Sequence, residues 1–276
     1  MANGDSLVYF SFSSFGVDVC LVFDDADLLD RFKNSLNLIF KNNLSPKVRS
    51  SKDHLISVQS AGRSESFSYT FNGKEHALEA GEGRLFKVLR TLVRVTVAGN
   101  SREKLFIHAG AVSWKGKGLI LPAHSNSGKT SLVIELCKLG AHYFSDEYAV
   151  LDSDGLLFPF PKHLSVRGEG GRFDQQDFDV SELGCVIANE PVPIQMVLFS
   201  QFSETQVEWS PKELSPGEGL LRLIPHIISI PIDPSYGLKM CGTAVQGVPL
   251  FEAPRGEAAA FAPQVLELLE NSTFLS

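Results

Sequence analysis

Long apolar runs are missing from this 276-residue chain: nowhere do 18 apolar residues follow one another, so no membrane-spanning helix is predicted. Cysteine is scarce. Cys20, Cys137, Cys185 and Cys241 stand far apart and form no CxxC pair. A structural zinc site needs closely spaced ligands, and a disulfide framework belongs to small secreted chains. The four therefore read as reduced thiols packed as small hydrophobes. The opening stretch MANGDSLVYFSFSS lacks a basic region, and Ser and Asp break its apolar residues, so it does not read as a secretory leader. The expected location is cytoplasmic, with no membrane partner. An excess of basic charge is absent too: 25 Lys and Arg against 32 Asp and Glu leave −7. Phosphate backbones select clustered Lys and Arg, so no nucleic-acid partner is expected. Internal repeats and low-complexity tails are also missing.

What is present is ordinary globular material, 43% hydrophobic and 21% charged, enough for one large domain or two modest ones. Residues 7 to 23 read as two strands hinged near Gly16. "DDADLLDRFKNSLNLIF" then places Leu28, Leu29, Phe32, Leu36 and Ile39 at helical spacing, with Asp24 or Asp25 as cap. Short strands follow to residue 75, with Asn72-Gly73 as a hairpin signal. "GEGRLFKVLRTLVRVTVA" reads as a helix with Leu85, Val88, Leu89, Leu92 and Val93 on one face. The pattern breaks at Asn100-Ser101-Arg102-Glu103, which divides the chain into a small α+β N-terminal domain, 1–100, and a second domain, 101–276. The second domain opens strand, turn, strand (LFIHAGAVSW, KGKG, LILPA). A helix SLVIELCKLG follows, closed by Gly140, and then AHYF, Ser145-Asp146-Glu147, YAVLD and an Asp154-Gly155 turn. Later stretches PIQMVLFSQ, VEWSP and YGLKMCG read as strands. EAAAFAPQVLELLE reads as a closing helix that Pro263 kinks or restarts.

Between LILPA and the helix sits Ala-His-Ser-Asn-Ser-Gly-Lys-Thr, residues 123–130. A strand, a turn with Gly-Lys-Thr and an immediate amphipathic helix is the arrangement of a phosphate loop, or P-loop. Backbone amides and the helix N-terminus there bind anionic oxygens. Gly128 admits close approach, Lys129 reaches β- and γ-phosphates, and the Thr130 hydroxyl supplies a ligand to magnesium. The candidate nucleotide-binding segment is Ala123, His124, Ser125, Asn126, Ser127, Gly128, Lys129, Thr130 and Ser131. Ala123 stands where Gly is usual, and His124 reads as a loop side chain.

The segment LFIHAGAVSWKGKGLILPAHSNSGKTSLVIELCKLGAHYFSDEYAVL, with LSVRGEGG further on, resembles the core of the HPr kinase/phosphorylase superfamily over about residues 104–172. The likeness is carried by a His-Ala/Gly strand, a phosphate loop, and a Gly-His-x-x-x-x-Asp-Asp strand end, here Gly140-Ala141-His142 with Asp146-Glu147. The N-terminal hundred residues are unlike those of the classical bacterial enzyme. They resemble the small domain of HPr-kinase-like proteins encoded with peptide-modifying or other biosynthetic enzymes. That superfamily's core is also similar to phosphoenolpyruvate carboxykinase.

The resemblance implies a mixed α/β protein with a P-loop HPr-kinase/phosphoenolpyruvate-carboxykinase-like core, which uses ATP and Mg²⁺ to phosphorylate a Ser or other hydroxyl. The acceptor would be a peptide, a small protein or a small molecule. By position, Asp146 is the proton acceptor and Glu147, normally Asp, the metal ligand beside Thr130; the longer Glu leaves these two roles exchangeable. His108 matches the active-site His, against the plainer reading of a satisfied core histidine. Arg167 would clamp phosphate or substrate, against a plain surface Arg. Lys162 and Arg222 are weaker candidates, and His142 is structural. Two other readings stay open, a reversible phosphorylase or carboxykinase-like transferase and a non-catalytic nucleotide-binding partner of a biosynthetic complex. Asp146 and His108, which a passive binder has no need to keep, favour the kinase. Oligomeric state is open.

Overall fold

The computed structural model describes residues 7–36, 40, 43–60, 66–124, 127–162, 164–167, 175–178, 180–205 and 208–273. They fall into two units, one ending at Glu103 and one starting at Lys104. The first opens with a hairpin of β1 (Val8–Ser14) and β2 (Val17–Phe23). Phe15 and Gly16 turn it with φ of 49° and 74°, the left-handed pair that matches strand twist. Helix α1 (Ala26–Leu36) follows, and Asp25 is its cap: its Oδ1 accepts from the Leu28 amide at 3.0 Å. Asp24 instead accepts from the Ser60 amide at 2.7 Å. Then come β3 (Ser45–Pro46), β4 (His54–Ser60), β5 (Ser66–Phe71), β6 (Lys74–Glu79) and α2 (Glu82–Asn100). The sheet order is β3-β1-β2-β4-β5-β6, with the β5–β6 hairpin closed by Asn72-Gly73. Leu28, Leu29, Phe32 and Leu36 of α1 and Leu85, Leu89 and Val93 of α2 are buried, and Phe32 stacks on Phe23. Ile39 lies outside the described residues.

The second unit carries β7 (Leu105–Trp114), β8 (Lys117–Pro122), α3 (Lys129–Lys138), β9 (His142–Ser145), β10 (Tyr148–Leu151) and β11 (Leu156–Phe158). Next are β12 (Leu164–Arg167), β13 (Gln175–Phe178), β14 (Val186–Ile187), β15 (Val192–Phe199), β16 (Lys212–Leu214) and α4 (Pro216–Leu223). α5 (Pro234–Ala244), β17 (Leu250–Glu252) and α6 (Ala258–Asn271) complete it. Among the described residues β12 pairs only with β13, and the other strands of this unit share one mixed sheet. In it β8 and β17 run parallel to β15, and β7 pairs antiparallel with β8, β9 and β10. Strand alternation sorts the core into two clusters. Leu105, Ile107, Ala109 and Ala111 of β7 join Ile120, Phe144, Leu157 and Val197 on one face. Val112, Leu119 and Leu121 face the other way, against Leu132, Val133 and Leu136 of α3 and Val265, Leu266 and Leu269 of α6.

Two expected strands are corrected. YGLKMCG lies within α5, because Pro234 fits the first helical position and Asp233 Oδ1 accepts from the Tyr236 amide at 3.0 Å. Residues 208–211 of VEWSP form no strand; Trp209 instead packs edge-on against Phe261, ring centres 5.9 Å apart. α4 went unread despite its capping box of Ser215 and Glu218. α6 runs unbroken through Pro263. All four cysteines are free and buried. No helix among the described residues is long and apolar enough to cross a membrane.

Candidate active site

The turn leaves the carboxyl end of β8, where its parallel neighbour β15 also ends, the edge at which α/β sheets hold ligands. Gly128 sits at φ 79° immediately before α3 and, having no side chain, leaves the first amides of the helix without a side-chain cap. Helix-start amides without a side-chain cap are the groups that bind anions. The turn is braced by its carbonyls: Arg255 Nη2 donates to Gly128 O at 2.7 Å, and the Phe202 amide donates to Ser127 O at 3.3 Å. Arg255 is almost fully buried, and its other terminal nitrogen donates to Gly256 O. A Cβ on Gly128 would lie 2.7 Å from Arg255 Nη2.

His108 lies on the α3 face of β7, in phase with Gly110 and Val112. A Cβ on Gly110 would meet Val133 Cγ2 at 2.8 Å and Lys129 Cγ at 3.1 Å, so glycine there lets the lysine stem pass over the strand. Lys129 Nζ then reaches His108 Nε2 at 3.2 Å. Burial pushes the lysine down to about 8, against the upward pull of Asp146 and Glu147. Burial and then the Lys129 charge hold His108 at about 4. The imidazole is therefore neutral near pH 7, and a neutral ring nitrogen accepts from the ammonium.

Strand register delivers the acidic pair. Tyr148 of β10 faces His108 of β7, and the Ala109 amide donates to Glu147 O at 3.1 Å, so the β9–β10 turn lies beside the histidine. Asp146 is buried. Its Oδ2 accepts from Thr130 Oγ1 and its Oδ1 from the Tyr143 hydroxyl, both at 3.1 Å. Lys162 Nζ bridges the pair, 3.4 Å from Asp146 Oδ1 and 3.3 Å from Glu147 Oε2. Burial, and next the Asp146 charge, push the Tyr143 phenol well up. The neighbouring Thr130 hydroxyl and carboxylate oxygens are the hard donors that Mg²⁺ takes, and its other positions normally go to water and phosphate. Among the described residues no group of three or more His, Cys, Asp or Glu gathers to hold a metal unaided.

Of the predicted site residues, His108, Lys129, Thr130, Asp146 and Glu147 are brought together. Ala123 is buried, and Ser131 is exposed on the first turn of α3. Ser125 and Asn126 lie outside the described residues. Arg167 ends β12, and its side chain is not described. His142 is exposed at the start of β9, and Arg222 pairs with Glu252. Lys162, a weak candidate by sequence, joins the acidic pair. Tyr143, Arg255 and His226 went unread. The His226 ring lies 4.7 Å from that of His124, and burial, then His124 and then Lys129, lower it to about 4. Tyr143 carried one usable signal, three residues before Asp146 on the strand that leads into its turn; His226 and Arg255 arrive from far along the chain and carried none.

No protein-family model matches this chain, and no curated protein does. Among solved structures, it is similar to the HPr(Ser) kinase/phosphatase from Coxiella burnetii, with 12% identity over 60% of this chain and 88% of that one. The TM-score is 0.32, a weak overlap.

Proposed function

We propose that this chain is an ATP- and Mg²⁺-dependent phosphotransferase that moves the γ-phosphoryl group to a hydroxyl. The observation that carries the reading is the convergence at the start of α3. Lys129 meets His108 there at 3.2 Å, while Thr130 meets Asp146 at 3.1 Å. Phosphoryl transfer asks the protein chiefly for positioning and charge compensation. The uncapped amides and Lys129 would hold the phosphates. Thr130 and Glu147 would hold Mg²⁺, which when bound neutralises charge on the β- and γ-oxygens. Asp146 takes the acceptor's proton, and His108 fixes the lysine amine. Lys162 keeps the two carboxylates compatible at close range. Arg167 remains a proposed phosphate or substrate clamp on its sequence position alone.

Lys129→Ala tests the reading at its base. It should weaken ATP binding in the presence of Mg²⁺ by at least about tenfold, which corresponds to about 1.4 kcal/mol. Calorimetric titration beside a circular-dichroism control measures this, and equal affinity in a folded variant would remove the phosphate site.

A further inference from the structure

A cavity of about 530 Å³ opens beside the turn. It is walled by the carboxyl ends of β8 and β15 (Pro122 and Ala123; Phe199, Ser200 and Gln201), by Leu221, Arg222, Pro225 and His226 around the end of α4, and by Glu252 of β17. His124 and Ser127 of the turn complete it. None of His108, Lys129, Thr130, Asp146 and Glu147 lines it, but it lies against the turn that leads into Lys129 and Thr130.

We propose that this cavity is the acceptor site and that it takes a neutral, hydroxyl-rich small molecule, a monosaccharide or polyol. The proposal rests on the phosphotransferase reading and specifies its substrate class.

Three observations carry it. The first is position along a bound polyphosphate. The His124–His226 ring pair stands on the turn side of the cavity, and the antiparallel bridge between Ile107 and Ile227 sets His226 beside His108, which touches Lys129 Nζ. In a phosphate loop that amine marks the β,γ end, whereas the nucleoside leaves from the α end, and no residue of α3 lines the cavity. The cavity therefore abuts the phosphoryl group that moves.

The second is unspent hydrogen bonding. Ser127 Oγ, Ser200 Oγ and His226 Nδ1 are buried with no hydrogen-bond partner among the described residues, and all three belong to this wall. Buried polar atoms are normally paired, so these three are unmet hydrogen bonds in residues of one wall, and a ligand's hydroxyls meet them once the side chains turn into the cavity. His226 is only 7% exposed, so its orphan nitrogen is not answered by bulk water.

The third is charge. Among the described residues the lining has one guanidinium and one carboxylate, Arg222 and Glu252, and they already pair with each other. The remaining polar groups are hydroxyl, amide and imidazole, against the apolar surfaces of Phe199, Leu221 and Pro225. That mixture of neutral donors and acceptors with an apolar wall suits vicinal hydroxyls on a carbon skeleton. A charged ligand would have to break the existing ion pair.

In the reaction, one acceptor hydroxyl oxygen forms the new bond to the γ-phosphorus. The bond from that phosphorus to the β,γ-bridging oxygen breaks, ADP leaves with the electron pair, and the reacting hydroxyl, extended from the cavity past the turn, gives its proton to Asp146. His226 and Ser200 orient the acceptor.

The test uses the full chain and two readouts, ATP affinity by calorimetry and ADP formation with candidate acceptors. The neutral arm contains glycerol, ribose, glucose and myo-inositol; the other arms contain L-serine, glycerate and a Ser-containing peptide. The account expects a neutral polyol to stimulate ADP formation saturably. Leu221→Trp, at an exposed position where folding tolerates the change, should raise that acceptor's KM at least about tenfold and leave the ATP dissociation constant within about twofold. Ser200→Ala should raise KM in the same direction. Stimulation confined to serine, glycerate or the peptide overturns the proposal, as does ATP binding without any acceptor, or a Leu221→Trp KM equal to the parent's. Failure of the parent chain to bind ATP would instead strike the phosphotransferase reading, and the acceptor site would fall with it.

Discussion

His108 and His226 show how a single residue's setting becomes a measurable property of the whole. Both are held at about 4 against the ordinary 6.5, chiefly by burial. In the unfolded chain the same imidazoles bind protons as pH falls through about 6.5. Between about pH 6.5 and 4 the unfolded state thus carries more protons than the folded one, and stability must decline as pH falls across that window. The carboxylates held below their ordinary values, Asp53, Glu218 and Glu270, add their losses only at the lower edge of the window and below. Melting temperature followed from pH 7 to 4.5 should therefore drop, and His226→Asn, which cannot take up the proton, should flatten the slope. An unchanged slope in that variant would mean that His226 is charged in the folded protein.

Gly128 belongs to the scale of the element, because it ends a turn and starts a helix at once. Its φ of 79° and the 2.7 Å separation of a would-be Cβ from Arg255 Nη2 are two separate penalties. Gly73 offers the control: its φ is 74° but nothing lies within 4 Å of its would-be Cβ. Gly73→Ala should cost about 1 kcal/mol from left-handed strain alone. Gly128→Ala should cost more, roughly 2–3 kcal/mol, since the buried Arg255 must also give up its contact with the Gly128 carbonyl. Denaturant unfolding of the two variants measures the difference, and equal losses would mean that Arg255 moves aside freely. Elements with strong local signals were legible in the sequence: the strand, turn and helix around Gly-Lys-Thr, the Asn72-Gly73 hairpin, and the apolar faces of α1 and α2. Residues 236–242 misled because their small and apolar residues look like a strand, while the decisive Asp233-Pro234 start lies outside the apolar run. Lys129 was legible from the chemistry of its own turn, whereas Asp146 was reached through the resemblance, and it is the β9–β10 turn that sets it against Thr130. The cavity was not, since its walls come from four stretches between Pro122 and Glu252 that meet only when β8, β15 and β17 align in parallel.

At the scale of the whole molecule, the second unit gathers its chemistry where the turn, the β9–β10 acids, β7 and the α4 end meet. Asp146 is the residue on which the reading turns, because its Oδ2 touches the Thr130 hydroxyl, where the proposed function puts both the metal and the phosphoryl group that moves. The most direct measurement compares Asp146→Asn with the parent in two assays: calorimetric ATP affinity with and without Mg²⁺, and release of labelled phosphoryl from γ-labelled ATP to water or to an accepted hydroxyl. Asparagine keeps the size and most hydrogen bonding but cannot serve as a base. The account predicts near-parental ATP affinity with its Mg²⁺ dependence intact, and transfer lowered by about 10²- to 10⁴-fold. Loss of the Mg²⁺ dependence would exchange the roles of Asp146 and Glu147. Transfer at the parental rate would contradict the central claim.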